Sequence, residues 1–293
     1  MTHKAGYVNI IGNPNAGKST LMNALLGTQL SIISPKAQTT RHRILGMLNT
    51  DDYQIVFSDT PGMVNPHYKL QETMMDAIEG SLHDADAFIL LTEMGEDFKN
   101  VEIIEKVKQS ELPILLLINK IDLSNQDETA LKINYWKEQL PQANILPISA
   151  LHGFNVEGVL DWIVEHLPEN PPYFPKDEIS DRNVRFFVSE IIREKILIHY
   201  QKEIPYAVEV YIESYEEGKD LDKIRAIIYV ERESQKIILI GKSGLALKRV
   251  ASEARRQMEK FLGKKVFLET HVKVLKNWRD SEQQLKNFGY SPS

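Results

Sequence analysis

Hydrophobic and polar positions follow two rhythms over the first 167 residues. Short, near-continuous apolar runs occur at YVNII (7–11), QIVFSD (54–59), AFILLTE (87–93), ILLLINK (114–120) and NILPIS (144–149). Between them, near 19–27, 68–81, 99–110, 127–139 and 155–166, apolar residues recur at helical spacing. The first kind reads as strands and the second as amphipathic helices. Strands this apolar need cover on both faces. The alternation therefore predicts an α/β domain, a mixed and mostly parallel sheet with helices on both sides.

The rhythm changes after residue 183. VRFFVSEIIREKILIHY (184–200) carries a helix stripe at 187, 188, 191, 192 and 196. AVEVYIES (207–214) and KIRAIIYVERE (223–233) alternate as strands, and KIILI (236–240) reads as another. LALKRVASEARRQMEKFL (245–262) is helical, and KVFLETHVKVLK (265–276) alternates again. This predicts a smaller α+β domain. Between the two lies LPENPPYFPKDEISD, whose prolines 168, 171, 172 and 175 resist helix and central strand. The expected organisation is a first domain over 1–168, a Pro-rich linker over 169–183, a second domain over 184–285 and a tail over 286–293. The C-terminal stretch from Asn277 is expected to begin helical and fray. Trp136, Trp162 and Trp278 are expected to be packing anchors.

Composition removes several function classes. The 293 residues include no cysteine, which excludes a disulfide framework, a thiolate metal site and a cysteine nucleophile. The eight histidines lack zinc-ligand spacing, and no G-x-S-x-G elbow is present. No secretory signal precedes the first strand, and the longest apolar runs are too short for a bilayer, so a cytoplasmic location is expected. The net charge of −6 conceals an asymmetry: residues 236–279 hold 12 basic and 3 acidic side chains. A basic segment in an acidic chain points to a polyanionic partner, nucleic acid first. It would also suit peripheral contact with an anionic membrane.

Residues 12–19, GNPNAGKS, match G-x-x-x-x-G-K-[ST] between a strand and a helix. Glycines let the backbone wrap a phosphate, and the helix N-terminus favours its charge. Gly12, Asn13, Pro14, Asn15, Ala16, Gly17, Lys18, Ser19 and Thr20 are candidate nucleotide contacts. Lys18 is expected at the β- and γ-phosphates and Ser19 on Mg²⁺. Asp59-Thr60-Pro61-Gly62 follows a buried strand, where the acid can fix Mg²⁺ and the Gly62 amide can meet the γ-phosphate. Met63 follows, where Ras-like enzymes place the water-orienting glutamine. Asn119-Lys120-Ile121-Asp122 ends another strand. Its carboxylate can accept from guanine N1–H and N2–H₂, a donor pair adenine lacks. Ser149-Ala150-Leu151 ends the next, where an amide can meet the guanine oxygen. All four segments fall at strand C-terminal ends, where open α/β sheets bind ligands. The order favours GTP or GDP over ATP.

GNPNAGKSTLMNALLG, KAQTTRHRILG and DTPGM resemble the Era family of bacterial GTPases. The resemblance continues past the linker through VSEIIREKIL, EIPYAVEV and IGKSGLALKRVASEARRQMEKFLGKKVFLETHVKV, covering nearly the whole chain. It implies a P-loop GTPase domain followed by a type II KH domain. KAQTTRHR (36–43) becomes the first switch segment, with Thr40 or its competitor Thr39 meeting Mg²⁺ and the γ-phosphate. Lys18, Thr40, Gly62 and Asn15 form the implied catalytic set. In related GTPases an Asn at the position of Asn15 helps to bind K⁺. The resemblance further implies binding near the 3′ end of 16S ribosomal RNA, assistance to 30S subunit maturation, and a monomer that hydrolyses slowly without its RNA partner. Two alternatives stand beside this. One is an RNA-binding module whose nucleotide is mainly structural; the other is a membrane-associated cell-cycle GTPase.

A second GKS lies at Gly241-Lys242-Ser243-Gly244, without the upstream glycine of a phosphate loop. GxxG between two elements is the backbone clamp of a KH domain. Here it is read between strand KIILI and the helix that follows. Lys248, Arg249 and Arg255 join the four loop residues as candidate RNA contacts, with Arg256 close by.

Overall fold

The computed structural model describes residues 3–290. Two compact units divide between Asp181 and Arg182.

The first unit is built on β1 (Lys4–Gly12), β2 (Ile44–Asn49), β3 (Tyr53–Asp59), β4 (Ala87–Glu93), β5 (Ile114–Asn119) and β6 (Asn144–Pro147). Their order across the sheet is β2-β3-β1-β4-β5-β6, parallel except for the β2–β3 pair. The helices are α1 (Lys18–Leu26), α2 (Lys69–His83), α3 (Val101–Gln109), α4 (Gln126–Gln139) and α5 (Val156–His166). β5 is buried at all six positions, which explains its unbroken apolar run. Trp136 and Trp162 are buried and serve as anchors.

Strand β2 does not emerge from the pattern, because ILGMLN reads poorly as a buried strand and lies at the sheet edge. The Pro-rich stretch runs alongside it. Met47 N–H donates to Ile179 O at 3.0 Å, Leu45 N–H to Asp181 Oδ1 at 3.0 Å, and Ser180 Oγ to Leu45 O at 2.7 Å. Gln54 holds the preceding residues, accepting from the amides of Tyr173 and Phe174 and donating to Phe174 O. Through Asp181 this stretch is therefore fastened to the first unit.

The second unit contains α6 (Val184–His199), α7 (Ile204–Ala207), β7 (Glu209–Glu216), β8 (Leu221–Val230), α8 (Glu233–Ile240), α9 (Leu245–Leu262), β9 (Lys265–Val274) and α10 (Glu282–Asn287). The sheet order is β7-β8-β9, antiparallel then parallel. Helices α6 and α9 close one face around Val188, Ile192, Val250, Ala254 and Met258. KIILI belongs to helix α8, not to a strand. Gln235 Oε1 accepts from the amides of Glu231 and Arg232 at the helix start, and Gly241 ends it. The apolar run misleads because Ile237 and Ile238 face solvent, 70% and 51% exposed, while Leu239 is buried. The C-terminal stretch is packed through Tyr290. Trp278 is fully buried with its indole N–H on Ala207 O, and the Tyr290 hydroxyl donates to Glu209 Oε2 at 2.8 Å. Residues 291–293 of the expected tail lie outside the described residues.

Candidate functional site

The loop between β1 and α1 turns on two left-handed residues, Asn15 (φ 66°) and Gly17 (φ 102°). A Cβ on Gly17 would stand 2.3 Å from the Asn119 amide nitrogen, so the loop closes there only with glycine. Lys18 opens α1 with its ammonium inside the loop, donating to Gly12 O (3.0 Å) and Asn13 O (2.9 Å). Burial pushes its pKa down to about 8, with Asp59 opposing the fall.

Three oxygen groups converge beside Lys18. Ser19 Oγ lies 2.8 Å from Asp59 Oδ2 and 2.9 Å from Thr40 Oγ1, and Thr40 Oγ1 lies 3.4 Å from Asp59 Oδ2. Asp59 is fully buried, and its Oδ1 has no hydrogen-bond partner. Burial raises its pKa, with Lys18 and the hydroxyls of Ser19, Ser31 and Thr40 pulling the other way. A buried carboxylate with one unsatisfied oxygen beside two hydroxyls is a donor set suited to a hard divalent cation. Thr39 is directed elsewhere, its Oγ1 donating to Lys36 O at 2.6 Å.

Gly62 approaches the phosphate loop closely: an added Cβ would lie 2.7 Å from Pro14 Cα. The next amide, Met63 N–H, donates to Gly12 O at 3.2 Å. The Met63 side chain is fully buried with Ile11, Met75, Ile78 and Phe88. It is a core residue, which corrects its expected place among the nucleotide contacts. Thr60 is likewise structural, donating to Ile10 O at 2.8 Å. Asn13 also turns away from the cavity. Its amide donates to Glu96 Oε2 and Asp97 O and its Oδ1 accepts from Lys99 N–H, which brace the β4–α3 loop.

At the other end, Asn119 ties three segments together. Its Nδ2 donates to Ala16 O at 2.8 Å, and its Oδ1 accepts from Ala150 N–H at 3.0 Å. The Ala150 amide is thus already engaged. Ser149 Oγ donates to Asp122 Oδ1 at 2.6 Å, which holds the carboxylate below its ordinary range, and Oδ2 stands 3.8 Å from His152 Nε2. Lys120, in a left-handed backbone, forms an ion pair with Glu93.

A cavity of about 620 Å³ joins these ends. Pro14, Asn15, Gly17, Lys18, Ser19, Thr20, Thr40, Gly62, Asn119, Lys120, Asp122, Ser149 and Leu151 contribute to its wall. Gly12, Asn13, Ala16, Asp59, Thr60, Pro61, Met63 and Ala150 stand behind that lining. Two kinds of lining residue escaped the sequence reading. Glu93 is the register partner of Asn119 on the adjoining strand, so strand neighbourhood was the available signal. Ile32 and Ile33 precede the expected switch, where Asn23 fastens the backbone of Leu30 and Ser31 and gives no motif.

In the second unit the GKSG turn joins α8 to α9. Gly241 (φ 73°), Ser243 (φ 52°) and Gly244 (φ 74°) all have positive φ, and a Cβ on Gly241 would meet Ala246 Cβ at 2.6 Å. Lys242 and Ser243 are exposed at its tip. Ile237, Ile238 and Leu245, all more than half exposed, flank it with apolar surface. The setting is helix–GxxG–helix, with apolar helix residues where the strand KIILI had been expected. Lys248 is exposed on the first turns of α9, and Arg249 pairs with Glu253 at 3.3 Å. Arg255 is not brought to the clamp. It lies about 16 Å along the helix from Gly244 and pairs with Glu259 at 2.8 Å.

A nucleotide cavity with a phosphate loop, an oxygen cluster and an NKxD carboxylate, joined in one chain to a GxxG unit, defines a P-loop GTPase with a KH domain. Family models agree. One described as a 50S ribosome-binding GTPase matches residues 7–120, and a KH-domain model matches residues 203–279. A crystal structure of Era in complex with MgGDPNP and nucleotides 1506–1542 of 16S ribosomal RNA is 39% identical, over 99% of each chain, with a TM-score of 0.94. A variant of Aquifex aeolicus Era bound to GDP and AlF₄⁻ is 38% identical, over 98% of this chain and 99% of that one, with a TM-score of 0.93. The chain belongs to the Era family of GTPases.

Proposed function

We propose that the protein is a GTP-hydrolysing switch that binds single-stranded RNA near the 3′ end of 16S ribosomal RNA and assists maturation of the 30S subunit as a cytoplasmic monomer. The observation that carries the reading is the meeting of Ser19, Thr40 and Asp59 at one end of a cavity whose other end is Asp122 and Ser149. One end fits a metal-bound triphosphate and the other a guanine.

Ser19, Thr40 and Asp59 would hold Mg²⁺, which would supply positive charge against the negative charge that develops on the phosphates during transfer. Lys18 places a second, desolvated positive charge there. Gly62 directs its amide at the γ-phosphate from beside Pro14. With Met63 in the core, no side chain at that position orients the attacking water. Asn15, exposed at the cavity wall, is offered for K⁺ and its added positive charge. Thr40 and Gly62 lie on segments that the γ-phosphate orders and hydrolysis releases. GKSG clamps the RNA backbone, with Lys242 at a phosphate and the flanking apolar surface receiving unstacked bases. These assignments take support from the same pairing, in the related Era complex, of MgGDPNP with 16S nucleotides.

The test is phosphate release at saturating GTP and Mg²⁺, with and without an RNA of the 16S 3′-terminal sequence. Slow release alone and a rise of about tenfold or more with RNA are expected. RNA that binds without changing turnover would refute the switch and leave an RNA-binding protein with a structural nucleotide. Equal rates in K⁺ and Na⁺ would remove the role given to Asn15. Among the described residues no helix is long and apolar enough to cross a membrane. Any membrane association would be peripheral, and flotation with anionic vesicles tests it.

A further inference from the structure

Hydrolysis of GTP needs a group that aligns a water behind the γ-phosphate, and Met63 does not provide one. Its thioether is fully buried among Ile11, Met75, Ile78 and Phe88, and the residue does not line the cavity. The attacking water lies in line with the bond that breaks, on the side of the γ-phosphate away from the leaving oxygen. The phosphate loop holds the opposite side. A side chain that reaches this water therefore comes from the segments that close over the γ-phosphate, those of Thr40 and Gly62. From the second, among the described residues, Gly62 alone lines the cavity, and it has no side chain. The polar residues of the first that line it are Ser34, Lys36, Gln38, Thr39 and Thr40.

Their chemistry separates them. Thr40 Oγ1 belongs to the oxygen cluster with Ser19 and Asp59. Thr39 Oγ1 donates to Lys36 O at 2.6 Å, and Ser34 Oγ accepts from Lys36 N–H at 3.2 Å. Lys36 ends in an ammonium, with three donors and no acceptor. Gln38 ends in an amide, which offers an acceptor and two donors in one plane. Asn15 carries the same group, but on the phosphate loop. Gln38 also stands at φ 59°, in the left-handed region that suits glycine. A turn here would form more readily with glycine. Side chains kept in such a conformation gather at functional sites, where the strain holds them in place. Gln38 is two residues from Thr40, so closure of this segment over the γ-phosphate carries both.

We infer that Gln38 is a catalytic residue that orients the attacking water, given the assignment of Ser19, Thr40 and Asp59 to the metal-bound end of the triphosphate. Its Oε1 accepts one hydrogen of the water, which turns a lone pair of the water oxygen toward the γ-phosphorus. Nε2 donates to a γ-phosphate oxygen and fixes the plane of the amide. A bond forms from the water oxygen to the γ-phosphorus. The bond from that phosphorus to the β–γ bridging oxygen breaks, and its electron pair departs with GDP. The hydrogen held by Oε1 enters the new phosphate with its oxygen, and the other proton passes to a phosphate oxygen. GTP and water thus become GDP and dihydrogen phosphate. Gln38 neither gains nor loses a proton, because a neutral amide is too weak a base to keep one. Its contribution is orientation, which the Met63 position leaves to another segment.

The experiment uses the full chain with Mg²⁺ and K⁺ and compares wild type with Gln38→Ala and Gln38→Gly. Glycine accepts the positive φ freely and removes only the side chain, whereas alanine keeps the strain. Single-turnover GTP hydrolysis should slow by about tenfold or more in both variants. Affinities for GDP and GDPNP should stay within about threefold of wild type, which also establishes that the variants are folded. GDP with AlF₄⁻ mimics the phosphoryl group in transfer. Affinity for it should fall by about the factor lost in rate, because the contact through water is made only there. Hydrolysis by Gln38→Gly at the wild-type rate would overturn the inference and leave Gln38 a turn residue. So would a slowed variant whose affinity for GDP with AlF₄⁻ is unchanged, or one whose GDPNP affinity falls as far as its rate. Thr40→Ala with unaltered Mg²⁺-dependent GDPNP affinity would instead overturn the assignment of the metal-bound end.

Discussion

Lys18 makes the nucleotide-free protein less stable than its packing alone would allow. The side chain is 6% exposed, and its charge is met only by two carbonyls and by Asp59. Its pKa falls from 10.5 to about 8. At about 1.4 kcal/mol per tenfold change, this places a cost of about 3 kcal/mol on folding with the ammonium charged. The folded value lies below the unfolded one. The unfolded chain therefore binds more protons between pH 8 and 10.5, and stability rises with pH across that window. Below pH 8 the whole cost is present. Lys18→Met keeps the stem and removes the charge. Without nucleotide the variant should be more stable than wild type by up to about 3 kcal/mol at pH 7, and by only about 1 kcal/mol at pH 9.5. Asp59, without its counter-charge, rises further above the carboxylate range and offsets part of the gain. Urea unfolding followed by the fluorescence of Trp136 and Trp162 measures both values. Saturating GDP should reverse the order, because phosphate compensates the lysine only in wild type. A variant less stable at pH 7, or a difference that does not shrink by pH 9.5, would refute the reasoning.

Gly62→Ala brings a Cβ within 2.9 Å of three Pro14 atoms and pushes the two loops apart. GTP-analogue affinity should fall about tenfold or more while GDP affinity stays within about threefold, as calorimetry would show. Thr40→Ala should weaken Mg²⁺-dependent GTP-analogue binding by about 2 kcal/mol, whereas Thr39→Ala, directed at Lys36 O, should change it by less than about 0.5 kcal/mol. Gly244→Asp sets a carboxylate and a strained left-handed residue at the clamp. It should abolish short-RNA binding at fixed salt and leave GDP affinity unchanged.

The motifs proposed to hold phosphate and guanine were legible because each depends on backbone shape or on a carboxylate at a strand end, and both are written locally. What was illegible is the direction of neighbouring side chains. Met63 and Asn13 sit inside recognisable motifs, yet one packs in the core and the other braces the β4–α3 loop. Sequence adjacency cannot separate them from Lys18 and Gly62. Helix α8 was mistaken for a strand because Ile237 and Ile238 are apolar and outward-facing, which breaks the link between apolarity and burial that periodicity relies on. The C-terminal stretch looked free because its anchors, Ala207 O and Glu209, are distant in the chain. Strand β2 was hidden because its apolar pattern is irregular and one neighbour is a proline-rich segment rather than a strand.

That segment carries a practical consequence. Residues 178–181 occupy the free edge of β2 through backbone and side-chain hydrogen bonds. A GTPase fragment ended at Pro168, where the helical pattern stops, would bare those amides and carbonyls along a six-residue strand. Bare strand edges recruit other bare edges. Such a fragment should self-associate, while one extended to Asp181 keeps its edge covered and stays dispersed. The proline-rich stretch thus acts as a guard against aggregation, and light scattering from the two fragments would distinguish them.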